Sequence, residues 1–388
     1  MMREYRALTG YSIKDVAFCL NYEETLSTYD LTRSAGYDGG TKASYERENS
    51  YELHRDFYRC LEGEIVPDVY SLMVPKSEYL KPEKKNIKER IIFVMNLLAL
   101  MYVKSLTHIL FSELMVIYKA HCCYIGFCRF YSDYPDLYQE LSSAKVVFGI
   151  DLSGQEYSNH QDMQEALWEA RTKMVPAEMH AHFRKFAKMI GVATAIDLQG
   201  NFWKICWKTL SGGPTTLIDN TWAAIVVFII ANSLYFRITP KEFMSLYGRL
   251  WGGKFVGDDA LVGFYVWIDW ASYSDFMHRA YWWMGYVCKL TQPQSSAYGL
   301  EFCGATIMSE GEHAISTKPE KVIATLLSSG NTVEKFAEVL GGIEPILKGS
   351  IYENYISELR RKTEPIVGQG PFVPDYLMDE LLPRRLNS

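Results

Sequence analysis

The stretch from Trp251 to Phe264 constrains this chain more than any other. Two apolar runs, one ending at Val256 and one starting at Ala260, flank Gly257-Asp258-Asp259. Apolar segments around a glycine-led turn predict a β-hairpin whose tip holds the acids. Two neighbouring carboxylates at a tight turn repel each other. The arrangement becomes favourable when a divalent cation sits between them. Gly-Asp-Asp alone is a weak signal, because any acidic turn can produce it, so its weight depends on the rest of the chain.

A second acid ends another predicted strand. Val146-Val147-Phe148-Gly149-Ile150 reads as a fully buried strand closing on Asp151, with Glu156 five positions further on. A helix is predicted from Gln161 to Thr172. The loop Leu210 to Asn220, with Ser211-Gly212 as its flexible turn, runs into Thr221 to Phe236, the most apolar run of the chain. That run is short for a membrane span and contains Asn232 and Ser233, so a buried core helix is predicted. Asn96 to Met115 is similar but broken by Lys104, His108 and Glu113, and no transmembrane segment is predicted. Thr216 and Asn220 stand four apart and share one helix face. Polar groups on an apolar helix need partners. Neighbouring backbone would serve, and so would a sugar hydroxyl.

Other stretches have both a plain and a functional reading. Lys76 to Arg90 is the one dense basic stretch, directly before the strand-like Ile91 to Val94. It is either a solvated charged face or a basic finger over a triphosphate. In the second case Lys76, Lys84, Lys85, Lys88 and Arg90 would offset phosphate repulsion, with Arg90 best placed for a bidentate contact. Arg33 to Gly40 is a glycine-rich loop, a turn or an approach to phosphate. Ala177 to Ile190 is an amphipathic helix carrying His180, His182, Arg184, Lys185 and Lys188, either a solvated face or a channel lining. A helix is predicted from Asp275 to Met284, then a loop and short strand through Lys289. That lysine is either a surface residue or a proton donor to a leaving pyrophosphate. Leu300 to Gly304 and Ala305 to Met308 predict a second hairpin. Lys318 to Arg361 reads as helical, with caps near Thr317 and Thr332, a break at Gly341-Gly342 and a loop at Gly330-Asn331. An extended tail through Pro365, Pro371 and Pro374 follows.

Composition excludes some classes. With 388 residues, 48% hydrophobic and 14% aromatic, the chain is globular and long enough for two or three packed units. Its net charge of −6 means that any nucleic-acid partner requires the basic residues to be segregated into a channel. Eight scattered cysteines without a leading signal segment predict a reduced, intracellular protein. His121-Cys122-Cys123 with Cys128 matches no familiar zinc spacing, so buried free thiols are expected there.

Taken in order, the pieces are a basic finger, a strand ending in Asp151, a Ser-Gly-x-x-x-Thr-x-x-x-Asn helix start, a Gly-Asp-Asp hairpin, a lysine loop and a Phe-Cys-Gly hairpin. The order resembles motifs F, A, B, C, D and E of the viral RNA-dependent RNA polymerases, over about Lys76 to Gly304. The resemblance implies an α+β right-hand fold, its palm a small antiparallel sheet backed by helices. It places fingers in residues 1–145 and 166–205, palm in 146–165 and 206–310, and a small helical thumb with the tail in 311–388. It implies RNA synthesis from NTPs on an RNA template. Asp151 and Asp258 would bind two Mg²⁺ or Mn²⁺ ions, with Asp259 completing the cluster. Lys76, Lys84, Lys88 and Arg90 would hold the triphosphate. Ser211, Thr216 and Asn220 would position the ribose, Lys289 would be the general acid, and Phe302-Cys303-Gly304 would lie under the primer. The family's usual second aspartate is here Glu156, a longer arm toward the sugar. The implied partners are template and nascent RNA, NTPs, and other viral replicase or capsid proteins, in the host cell cytoplasm. The alternatives are a reverse transcriptase, against which Gly257 and the Ser-Gly helix start speak, and a non-catalytic RNA-binding replicase subunit, against which the full set of acids speaks.

Overall fold

The computed structural model describes residues 19–76, 91–128, 130, 132–309, 313–327, 332–374 and 378. Lys84, Lys85, Lys88, Arg90 and the Gly330-Asn331 loop lie outside the described residues.

The chain is mixed α+β, with small, mainly antiparallel sheets packed against helices in a right-hand arrangement. Strands β1 (Tyr70–Pro75), β2 (Ile91–Met95), β4 (Val192–Ile196) and β5 (Phe202–Cys206) form one sheet in the order β2-β1-β4-β5. There β1 and β4 run parallel, so residues near 70 and near 194 share one sheet despite their distance in sequence. Strands β3 (Val146–Ser153), β6 (Trp251–Val256), β7 (Asp259–Phe264) and β8 (Val287–Leu290) form a wholly antiparallel sheet, β6-β7-β3-β8. Strands β9 (Glu301–Phe302), β10 (Ala305–Thr306) and β11 (Ile315–Ser316) make a third, smaller sheet. Three helices follow, Pro319–Leu327, Val333–Leu347 and Glu353–Val367, around a core of their own.

The core helix, Thr216–Phe236, is apolar all round because nearly all of it is packed, with only Leu217 and Leu234, near its two ends, exposed. It touches β6 and the helices Gln161–Thr172, Pro240–Ser245 and Trp270–Trp283. Its buried polar residues toward the C-terminal end are bonded. Asn232 donates to the Phe228 carbonyl at 2.8 Å and accepts from the Tyr273 hydroxyl at 3.0 Å, and Ser233 donates to the Ile229 carbonyl at 2.6 Å. Leu97–Val116 also packs into the main core. Both helices are long and apolar enough to cross a membrane, and burial inside the fold, 78% and 61% of their apolar windows, accounts for that composition.

Several predicted boundaries move. The helix expected to begin at Asp275 begins at Trp270. Gly341-Gly342 does not break the C-terminal helices, since both glycines lie inside Val333–Leu347. The break falls after Leu347. Gly341 is there for close approach, because a Cβ at that position would stand 2.0 Å from the Pro371 carbonyl oxygen. The tail is correspondingly not a surface strap from Pro365 onward. Pro365 is inside the last helix, and Phe372 is buried in the C-terminal core. The glycine loop 33–40 has a structural job as well. Gly36, at φ 76°, lies against the backbone of Val94 and Met95, and Asp38 accepts from the Leu97 amide at 2.7 Å. All eight cysteines are free thiols, with Cys122 and Cys123 buried.

Candidate active site

The site is assembled by the β6-β7-β3-β8 sheet. Val256 pairs with Asp259, leaving Gly257 and Asp258 as a two-residue turn. Gly257 has φ 62° and Asp258 does not have positive φ, the pattern of a type II′ hairpin turn, which requires glycine first. Asp258 therefore stands exposed at the tip, while Asp259 is the first residue of β7 and half-buried. In the register of β3 against β7, Asp151 is directly opposite Asp259. The Leu152 amide donates to the Asp258 carbonyl at 3.1 Å, fixing the turn against the end of β3. Asp151, more than a hundred residues earlier in the sequence, meets Asp258 and Asp259 at one end of one sheet.

The electrostatics of that end are unbalanced. The Asp259 carboxyl is pushed up to about 7, first by desolvation, then by Asp258, Asp151 and Glu301, with Lys318 opposing. Asp151 is paired with Lys289, its neighbour across β3 and β8, at 2.9 Å. Among the described residues no three His, Cys, Asp or Glu side chains close into a metal cage. Carboxylates this close repel one another, and the Lys289 ammonium offsets part of that charge at Asp151. Donor chemistry and charge fit hard divalent cations with oxygen ligands, the type expected from the sequence.

The core helix is joined directly to the acidic turn. The Gly257 amide donates to Thr221 Oγ1 at 2.7 Å. Asn220, the residue before, is buried and accepts through Oδ1 from Asn159 Nδ2 at 3.2 Å. Gln155, on the short helix Gln155–Ser158 after β3, donates to the Asn220 carbonyl at 2.6 Å. Glu156 lies on the same short helix, and its carbonyl accepts from the Thr209 amide. The Thr216 hydroxyl bonds backbone, donating to the carbonyls of Leu210 at 2.6 Å and Gly213 at 3.0 Å, and so braces the loop. Ser211 offers its carbonyl to the Phe93 amide at 2.7 Å, which ties the same loop to β2. Lys76 is exposed just past β1, with no described contact to the acids. The other residues expected to hold triphosphate lie outside the described residues.

Sequence reasoning did not single out Thr221, Gln155, Asn159 or Glu301, nor the ion pair beneath them. Arg171, fully buried on helix Gln161–Thr172, bonds Asp219 on the core helix. Its guanidinium lies 4.3 Å from the Trp168 ring centroid, 5.2 Å from Trp222 and 5.7 Å from Phe111. Two charges, each inside an otherwise plausible helix pattern, gave no linear signal of being partners. Only the pairing of an acid with an apolar helix, which demands a partner, hinted at it.

The sequence profile of the family described as "Viral RNA-dependent RNA polymerase" matches residues 1–353. No curated protein matches by sequence. Among solved structures, the "Sicinivirus 3Dpol RNA dependent RNA polymerase" has a similar fold, with a TM-score of 0.65 at 16% identity over 90% of this chain and 76% of that one. The chain belongs to the family of viral RNA-dependent RNA polymerases, enzymes that build RNA on an RNA template.

Proposed function

We propose that this chain extends an RNA 3′-end by two-metal nucleotidyl transfer, with Asp151, Asp258 and Asp259 as the metal-binding acids. The observation that carries the reading is the register placing Asp151 opposite Asp259, one residue from Asp258 at the turn. The raised Asp259 carboxyl supports it, since uncompensated negative charge at that point is what a divalent cation removes. Two bound Mg²⁺ or Mn²⁺ ions would lower the pKa of the attacking 3′-hydroxyl and neutralise charge on the triphosphate and its leaving group.

The chain's own residues supply position. The β6-β7 turn, pinned by Thr221 and by the Leu152 amide, holds Asp258 toward solvent where substrate arrives. Lys289 stands beside Asp151 with an Nζ proton to give, the place for a general acid at the departing pyrophosphate. Asn220, held by Gln155 and Asn159, takes the ribose together with Glu156, while Thr216 and Ser211 hold the loop beneath it. Lys76, with Lys84, Lys88 and Arg90, is assigned to the triphosphate. Fingers in residues 1–145 and 166–205, palm in 146–165 and 206–310, and thumb in 311–388 complete the reading. The partners are template and product RNA, NTPs and further viral replicase or capsid proteins in the host cytoplasm.

The test is template-directed incorporation of ribonucleotides by the purified chain with Mg²⁺ and with Mn²⁺. Asp258→Ala is expected to lower the rate at least about a thousandfold, the loss of several kcal/mol of charge stabilisation. Undiminished synthesis by that variant sinks the proposal.

A further inference from the structure

Asn159 belongs to none of the motifs, yet it is fully buried at the end of the short helix that carries Glu156. Its Oδ1 accepts from the Tyr286 hydroxyl at 2.7 Å. Its Nδ2 donates to Thr209 Oγ1 at 2.7 Å and to Asn220 Oδ1 at 3.2 Å. Thr209 Oγ1 also accepts from Gln164 Nε2 at 2.7 Å. The backbone is held too. Its amide donates to the Gln155 carbonyl at 3.1 Å, and its carbonyl accepts from Lys208 Nζ at 3.2 Å. Contacts from both chain directions leave this side chain one orientation.

That orientation decides what Asn220 offers. A carboxamide has an acceptor end and a donor end, and the neighbour that takes one end leaves the other to face the opposite way. Asn159 takes the acceptor end of Asn220. The Asn220 Nδ2 has no hydrogen-bond partner among the described residues, and it is not one of the sealed, unpartnered polar atoms of the interior. We propose that Asn159 is the positioning residue for sugar selection: it holds Asn220 with its NH₂ toward the nucleotide, so that the site donates to the 2′-hydroxyl oxygen. This rests on the reading of Asn220 as a ribose contact.

The experiment measures kcat/KM for a ribonucleotide and the matching 2′-deoxyribonucleotide on one RNA primer-template. It uses the full chain with Asn159→Leu, Asn159→Asp, Asn220→Leu and the double variant Asn159→Leu/Asn220→Leu. Asn159→Leu is expected to lower the ribose preference about tenfold, the worth of one well-placed hydrogen bond, mainly through the KM of the ribonucleotide. Asn159→Asp is expected to do at least as much, because an ionised carboxylate only accepts and draws the Asn220 NH₂ inward. The double variant is expected to match Asn220→Leu alone, as residues acting through one another do. Equal slowing of both nucleotides, with the ratio unchanged, overturns the proposal, as does an additive double variant. If Asn159→Leu does not fold, Tyr286→Phe removes only the hydroxyl that orients Asn159, and an unchanged ratio there is equally fatal. An unchanged ratio in Asn220→Leu removes the premise instead, which separates failure of the ribose reading from failure of the Asn159 role.

Discussion

Arg171→Met is the perturbation with the most closely defined outcome. Arg171 and Asp219 are 0% and 3% exposed at the side chain, so their pairing is screened by nothing but protein. Among the described residues Arg171 Nε and Nη1 have no hydrogen-bond partner, and the guanidinium is enclosed by Trp168, Trp222 and Phe111. Methionine keeps most of that packing volume but leaves the Asp219 carboxylate alone in the core. Breaking such a buried pair from one side costs about 3–5 kcal/mol. At roughly 2 cal/mol/K of unfolding entropy per residue, the 388-residue chain has about 0.8 kcal/mol/K in total. The melting temperature should therefore fall by about 5 °C, or more if the core melts as a smaller cooperative unit. Replacing both partners, Arg171→Met with Asp219→Leu, removes two desolvated charges together, and such replacements are often neutral. The double variant should recover most of the loss. The assay is thermal unfolding of wild type, both single variants and the double variant at one ionic strength. A single-variant cost below about 1 kcal/mol, or a double variant costing the sum of the singles, would refute the reasoning.

Further outcomes follow from the site and the C-terminal core. The Asp259 carboxyl is raised from 3.8 to about 7, so its contribution to stability is complete below about pH 4 and lost as pH rises through about 7. Without divalent cations the melting temperature should fall across that window. Asp259→Asn should flatten the slope, and Mg²⁺ or Mn²⁺ should restore stability at about pH 8 more than at about pH 5; a flat metal-free profile in the wild type contradicts this. Thr221→Val takes the acceptor from the buried Gly257 amide, at a cost of about 1–3 kcal/mol. Nucleotide incorporation should drop with it, since the turn carrying Asp258 loses its tether; unchanged rates in a steady-state assay would rule that out. Gly341→Ala forces a methyl group onto the Pro371 carbonyl and should lower stability by about 1–3 kcal/mol, with earlier proteolysis of the C-terminal helices as the readout.

What the sequence could disclose followed from local rules. The two apolar runs around Gly257 become the β6-β7 hairpin because a II′ turn needs glycine first, a constraint visible in the residues themselves. The continuous apolar run before Asp151 becomes a buried strand, and the all-round apolar run to Phe236 becomes the core helix, because composition alone forces burial. Gly341-Gly342 misled for the opposite reason. Glycine marks a break and a close contact with the same letter, and only the Pro371 backbone tells which.

Partnership across the chain was decided by the tertiary structure. The register that sets Asp151 against Asp259, the Thr221 bond to Gly257, the Arg171–Asp219 pair and the Asn159 network each join residues far apart in sequence. A side chain's chemistry is written in its identity, but its orientation and charge balance depend on neighbours that folding brings to it. The sequence determined which groups are present and which segments must be buried. The packing of the sheet against the core helix determined which of those groups share a site.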